Sequence, residues 1–517
     1  MEKYKLFWGD AHSNIHTESM QDLEKWFEQA MELIDFWPIA YYPYHMKKVN
    51  GFGLEDWLDD GILKEDWKNL KRFVMQKNQE HNGEFVAFMG FEWQGDGQDG
   101  DHNIFYLDDD QVIHKTMHFK DLISVLPKGR AIAIPHHTAY KLGSRGKNWA
   151  IHDEVISPFA EIYSSHGSSE CDLTDIPMNR HIHMGPRVDG GTVLDGLSRG
   201  NKFGIIASTD NHDCPAVYGQ GLMACYAENL SKEAIWDAFI NRRVYGVTGD
   251  RIKLLYKIND SIMGSKVKAN PPYLHNVEVE GGSAIHRVEL YRNNILTADY
   301  THTGKWELLP LSEVVKFKFK VEFGWGPDLK IYPDMKKKVW QGSLETEGEI
   351  HSVEKCWTNY GQKLSNLNKN RCEFEITSYK TVQSSKWMGI SPVQTQAFIF
   401  EIEAPLHSSI KLVIDNRKIL IPVADILQKS HLFGFLNEAK ELVEERWGIK
   451  SYYRNDPFWH AAYKVKIHRG IPEIGYKVNF NWVSEEKVKD EDFFWVKVIQ
   501  RDGNTAWSSP IWIMKNI

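Results

Sequence analysis

Phe203-Gly-Ile-Ile-Ala-Ser-Thr-Asp-Asn-His212 is the stretch whose reading decides the fold. Phe203 to Ala207 is a short apolar run of the kind a buried strand carries, and it delivers Asp210 and His212 at its carboxyl end. Residues two apart on an extended chain point the same way, so a carboxylate and an imidazole would leave the strand side by side. That pair suits a divalent metal. The plainer alternative is a turn in which the Asp caps a helix and the His lies on the surface.

The same design recurs through the first half of the chain. Lys5 to Gly9 runs into Asp10-Ala-His12-Ser-Asn14-Ile-His16, and Phe36 to Tyr42 runs into Pro43-Tyr-His45. Phe85 to Glu92 is apolar with a carboxylate at its end. The turn-rich loop Gly95 to Gly100 then leads into Asp101-His102, so a hairpin there would set His102 beside Glu92. Ala131 to Pro135 ends in His136-His137, and Phe159-Ala-Glu161 leads on to His166. Helical spacing marks residues 20–33, about 54–81, 191–200 and 231–243, the last with Ser231 as its cap. Strands alternating with helices, with polar groups at the strands' carboxyl ends, predict a parallel β/α barrel whose site lies on that face. A separate structural role for each histidine is the simpler account one residue at a time, but it does not explain six successive strand ends of this kind.

From about Leu254 the pattern changes to short strands separated by Gly, Pro and Asn turns, which predicts an antiparallel β-sandwich with a helical insertion near 423–447. The expected division is therefore 1–253 and 254–517. A chain of 517 residues is too long for one ordinary core. Its 62 basic and 70 acidic residues give a net charge of −8, which makes no case for nucleic acid. The nineteen Trp fit ring-lined pockets as well as cores and interfaces. Five cysteines without a CxxC spacing fit a reducing compartment and no thiolate zinc site. With no apolar run near the roughly 18 residues a membrane span requires, the expectation is a cytoplasmic protein acting on a small molecule, without membrane or nucleic-acid partners.

With these motifs laid out, the first 250 or so residues resemble the polymerase-and-histidinol-phosphatase (PHP) superfamily of metal-dependent hydrolases, and the whole chain resembles its DUF3604 branch. Trp8-Gly-Asp-Ala-His12-Ser-Asn14, Gly90-Phe-Glu92, Ile134-Pro-His136, Glu161-Ile-Tyr and Ser208-Thr-Asp210-Asn-His212 carry the likeness. So do Arg243-Val-Tyr-Gly-Val-Thr-Gly249 and the terminal Trp495 to Pro510. The resemblance implies an α/β fold, a distorted seven-stranded barrel with metals at its mouth. It implies that His12, Glu92 and Asp210 hold one ion, with Glu92 bridging to a second held by His102 and His136, and a further ligand at Glu161 or His166. Two departures stand out. The usual His-x-His opening reads His12-Ser-Asn14 with His16 beyond, and the usual Asp-His pair after the second strand reads Tyr41-Tyr42 with His45 beyond.

The metal-ligand candidates are thus His12, Asn14, His16, Glu92, His102, His136, Glu161, His166, Asp210 and His212. Glu92, Asp210, His212 and His45 are the catalytic candidates. Arg145 and Arg187, with Lys147 and Arg180 in the same loops, and Tyr41 and Tyr42 are the expected substrate contacts. Without the Asp-His pair two ions are expected, of Zn, Mn, Fe or Ni. The expected activity is phosphoester hydrolysis by a shared hydroxide. The alternatives are hydrolysis or elimination on a non-phosphate, carbohydrate-derived substrate, or a non-catalytic binding protein stabilised by its metals.

Overall fold

The computed structural model describes residues 3–178, 184–329, 331–379, 395–488 and 490–515. The chain divides into two compact units: Met1–Glu280 with His286–Thr301 and Asn479–Ile517, and Gly281–Ile285 with His302–Val478.

In the first unit, apolar periodicity turns directly into elements. Helix Leu23–Leu33 buries Leu23, Trp26, Phe27, Ala30 and Leu33, one stripe of a 3.6-residue repeat. Helix Asp60–Glu80 buries Leu63, Trp67, Leu70 and Val74 in the same way. It begins later than the expected residue 54, because Phe52–Trp57 pairs as a strand with Tyr44–Val49 in a separate two-stranded sheet. Helix Lys232–Ile240 starts where Ser231 accepts a hydrogen bond from the Ala234 amide at 3.2 Å.

Strands Lys5–Gly9, Phe36–Tyr41 and Val86–Trp93 are parallel neighbours, with the first two helices in their crossovers. The alternation stops there. Residues 94–101 are too few for a crossover, so His102–Tyr106 returns antiparallel to Val86–Trp93, and Ala131–Pro135 is antiparallel to that. Leu222–Ala227 lies antiparallel on the other side of Lys5–Gly9, followed by Val244–Val247. Phe159–Ser164 and Gly204–Ala207 pair in parallel in a separate three-stranded sheet. The backbones of the two sheets meet at Gly246, where any Cβ would lie 2.4 Å from the Ala207 nitrogen. Mixed sheets with few helices thus stand where a seven-stranded β/α barrel was expected. Phe36, Phe88, Phe159, Trp236 and Phe239 fill the core between these strands and helix Lys232–Ile240.

The first unit does not end near residue 253. Thr505–Ser508 pairs with Val244–Val247, and Glu491–Gln500 and Ile511–Lys515 extend the same sheet. The Ser509 hydroxyl accepts from the Ile205 amide at 2.9 Å and donates to the Val244 carbonyl at 2.5 Å. Buried Lys497 places its ammonium 2.9 and 2.8 Å from the two Glu170 oxygens, and Trp507 donates to the same carboxylate at 3.1 Å.

The second unit carries a six-stranded and a five-stranded sheet. Phe323 of one sheet meets Trp340 and Phe374 of the other at 5.6 and 5.3 Å between ring centres, so the two inner faces share one core. The expected insertion is two helices, Val423–Gln428 and Leu436–Trp447, separated by strand His431–Gly434. No described helix is long and apolar enough to cross a membrane.

The Lys497–Glu170 pair yields a test of the first unit. Lys497→Met would leave Glu170 as an uncompensated buried anion, so a loss of about 3–5 kcal/mol is expected in urea unfolding. Glu170→Gln combined with Lys497→Met should recover part of it. A single variant as stable as wild type would show that the C-terminal strands are not anchored through this pair.

Candidate metal centre

Strand parity decides which residues meet. Glu92 lies opposite Asn103 in the hairpin, so Glu92, Asn103 and Asp101 share one face. His136 follows Pro135, the partner of His102, and its amide donates to the Asp101 carbonyl at 3.2 Å, which puts His136 on that face too. The parallel strands contribute from their carboxyl ends and the antiparallel one from its start. Two loops complete the group: His12-Ser-Asn14 after the first strand and Asp210-Asn-His212 after Gly204–Ala207. The Asp10 carboxylate ties these loops together, accepting from the amides of His12, Thr209 and Ala216 at 3.2, 3.0 and 2.9 Å.

Three sets of donor atoms each lie within 4.8 Å of one another: His12, Glu92 and His136; Asp101, His136 and His137; His137, His166 and Asp210. All seven residues are buried. His12 Nε2 is 3.8 Å from Glu92 Oε2 and 3.2 Å from Asp210 Oδ1, while Asp210 Oδ2 is 2.9 Å from His166 Nε2. His136 Nε2 is 3.9 Å from Glu92 Oε1. Buried His12 Nε2, both ring nitrogens of His136, His137 Nδ1 and Asp101 Oδ1 have no hydrogen-bond partner among the described residues. Leaving so many buried donor atoms unpaired is costly unless a cation meets them, so the residues fit a divalent metal. Asp210 and His137 both take positive φ, 50° and 33°, a backbone strain that collects at functional sites.

Burial works against charging His12, yet Asp210 and Glu161 override it and hold the imidazole well above its usual range. A cation at Nε2 must therefore displace a proton. Burial likewise opposes ionised Asp210, and the imidazoles of His12 and His166 pull it well below the usual carboxylate range. Asp101, desolvated but held by Arg145, is raised to about 7.

Glu161 stands behind the donors. Its Oε2 meets His12 Nδ1 at 2.8 Å and its Oε1 accepts the His137 amide at 3.3 Å, so it orients His12, while His166 is the one that joins a donor set. Asn14 Nδ2 donates to Glu92 Oε2 at 2.9 Å. His212 Nε2 is 3.5 Å from Asp210 Oδ1. Asp210 and His212 come together through the turn at Asp210, not along an extended strand as expected. His16 Nε2 and His212 Nδ1 share a hydrogen bond of 2.7 Å, and His16, buried and beside His212, is lowered to about 2.

Several expected residues lie elsewhere. His102 pairs with Trp93, one register step from Glu92, and so faces away from the donors. Its ring stacks on Phe119, and its nitrogens meet the Gly100 carbonyl and Lys147 Nζ at 2.9 and 3.0 Å. Lys147 is thus occupied there, and burial lowers it to about 7. Tyr41 turns outward to donate to Asp66 at 2.7 Å, whereas Tyr42 faces the site with its ring 5.2 Å from His212. His45 alternates with Tyr44 on the hairpin, opposite Asp56, and points away from the site that Tyr44 faces. Arg187 spends its guanidinium on the carbonyls of Ser168, Ile176 and Asp172. Arg180 lies outside the described residues. Asp101, His137, Gln94 and Asp10 were not among the expected ligands. The first two sit beside His102 and His136 in sequence, and the hairpin register is the signal that would have picked them out.

No family model matches the chain. An uncharacterized protein of Chlamydia pneumoniae is 28% identical over 251 residues, 44% of this chain and 39% of that protein. One from Chlamydia trachomatis is 26% identical over 270 residues, 48% of this chain and 42% of its own length. The chain therefore spans about two fifths of the relatives it matches. Among solved structures, a two-domain protein from Bacteroides vulgatus, containing a predicted PHP-like metal-dependent phosphoesterase, aligns over 82% of this chain and 96% of its own at 9% identity, with a TM-score of 0.32.

The register makes a test by contrast. His136→Ala should lower bound divalent metal in elemental analysis of protein purified without chelator, whereas His102→Asn should keep the wild-type content, whatever it does to stability. Loss of metal in His102→Asn with retention in His136→Ala would refute the assignment of faces.

Proposed function

We propose that the first unit is a metal-dependent hydrolase acting on phosphate esters, a PHP-type site of the DUF3604-like branch that holds two divalent ions. The observation that carries it is that two of the donor sets, His12/Glu92/His136 and His137/His166/Asp210, share no residue. Asp210 spans them, one oxygen toward His12 and the other toward His166. The set containing Asp101 overlaps both. A mixed imidazole and carboxylate shell accepts Zn, Mn, Fe or Ni.

Paired divalent ions, when bound, activate water and offset the charge that develops on a phosphoryl group. The chain supplies the placement. Glu161 fixes the ring of His12, Asn14 and Gln94 hold the two Glu92 oxygens at 2.9 Å each, and Asp10 locks the loops that carry His12 and Asp210. Arg145 brings a cation beside the donors through Asp101, suited to an anionic substrate. His212 stands half-buried, its Nδ1 tied to His16 and its Nε2 3.2 Å from the Asn14 side-chain nitrogen and 3.5 Å from Asp210 Oδ1, so its ring is held at the edge of the donor cluster.

Hydrolysis of a generic aryl phosphate, stopped by chelator and restored by Mn or Zn, is the expected result. Glu161→Gln, which weakens the hold on His12 without removing a residue of the donor sets, should cost about 10–100-fold, and Asp210→Asn more. Turnover indifferent to chelator would sink the reading. Full metal content without turnover of any ester in a phosphate panel would move the substrate to another class.

A further inference from the structure

Polar side chains run from one donor carboxylate to another around the candidate centre. Glu92 Oε1 accepts from Gln94 Nε2 at 2.9 Å, and the same nitrogen donates to the Tyr42 hydroxyl at 2.9 Å. Tyr42 donates to Glu55 Oε1. Glu55 Oε2 lies 3.8 Å from Arg145 Nη2, and Arg145 Nε donates to Asp101 Oδ2 at 2.6 Å. The path thus starts and ends on carboxylates of the donor cluster.

Glu55 is the unusual member. It comes from the hairpin Tyr44–Val49/Phe52–Trp57, which pairs with no other strand among the described residues. A lone two-stranded ribbon is marginally stable at best. By register Tyr44, Met46, Glu55 and Trp57 share one face, and Tyr44 accepts the Gln94 amide at 3.0 Å. The hairpin is therefore held where Tyr44 and Glu55 meet the site.

A phenol that donates and a guanidinium beside it are what recognises an oxyanion. Arg145 is fixed only at Nε. Its two Nη groups make no hydrogen bond among the described residues, since 3.8 Å is beyond hydrogen-bond reach. With a third of its side chain exposed (32%), the Arg145–Glu55 joint is the loosest in the path, and ion pairs of that kind are worth little. An outside anion that accepts the Tyr42 hydrogen bond and meets the Arg145 guanidinium would replace both contacts that Glu55 makes.

We infer that Tyr42 and Arg145 form a second anion position, filled by Glu55 in the free protein, and that the substrate is a two-ended anion. One end is the phosphate ester at the donor cluster, and the other is a carboxylate that displaces Glu55 as the hairpin swings outward. The inference rests on the phosphoesterase reading for the first end only. Its rival is that Glu55 simply clamps the hairpin.

Isothermal titration of the protein as purified, at measured metal content, distinguishes them with two non-hydrolysable probes, phenylphosphonate and 4-carboxyphenylphosphonate. The carboxylated probe should bind tighter in wild type. Glu55→Gln, which removes the competing charge, should widen that preference by about tenfold. Tyr42→Phe should narrow it and Arg145→Met should abolish it. A preference near one in Glu55→Gln, no binding of the carboxylated probe to that variant, or a preference that survives Arg145→Met overturns the second anion position. Preserved preference in a protein that hydrolyses no phosphate ester would instead count against the phosphoesterase reading alone.

Discussion

The constraint on which the first unit depends is desolvated charge. Glu92, Asp101, Glu161 and Asp210 are each at most 3% exposed and crowd around the buried rings of His12, His136 and His137. Carboxylates out of water are tolerated only when paired or neutralised. Within the protein, Arg145 and a protonated His12 do part of this. The remainder is what makes the cluster a cation trap. Strand ends, the Asp10 tie and the strained backbone at Asp210 all hold these groups where collapse away from one another would otherwise relieve them.

How much of this was legible follows from parity. His12, Glu92, His136 and Asp210 each end a short apolar run, and that signal survives without any knowledge of pairing. Whether a neighbour joins them is a matter of one residue of register, which no local pattern fixes. His102 and Asp101 exchange roles for this reason, and of the two tyrosines expected at the site only Tyr42 faces it. Arg187 could not be separated from Arg145 because a guanidinium spent on carbonyls looks the same in sequence as one left for a ligand. The chain's division was hidden by distance: Lys497 finds Glu170, and Ser509 finds Ile205 and Val244, through partners hundreds of positions away.

The hairpin shows the same limit. Helical spacing from residue 54 was outweighed by cross-strand pairing of Phe52–Trp57, whose face alternation sends Glu55 inward and Asp56 outward. An acidic residue in an exposed ribbon reads as solvation until the register shows that it reaches Tyr42.

The two sides of the site therefore differ in kind. Around Asp101, Glu92 and Asp210 the groups are anionic and compensation by cations is required. Around Tyr42, His16 and His212 the groups bond one another: the two imidazoles share 2.7 Å and the Tyr42 ring lies 4.6 Å from His16. His16 is held uncharged by burial, and Tyr42, desolvated and facing Glu92 and Glu55, keeps its proton well beyond the usual phenol range. A further dication there would meet an uncharged His16 and a Tyr42 that keeps its proton, and would repel two neighbours, a repulsion that an effective dielectric of about 20 does not remove. The proposal of two ions follows from that asymmetry. The same asymmetry gives this side another use, since hydrogen-bond donors beside the donor cluster, Tyr42 among them, can hold other parts of a substrate without competing for metal.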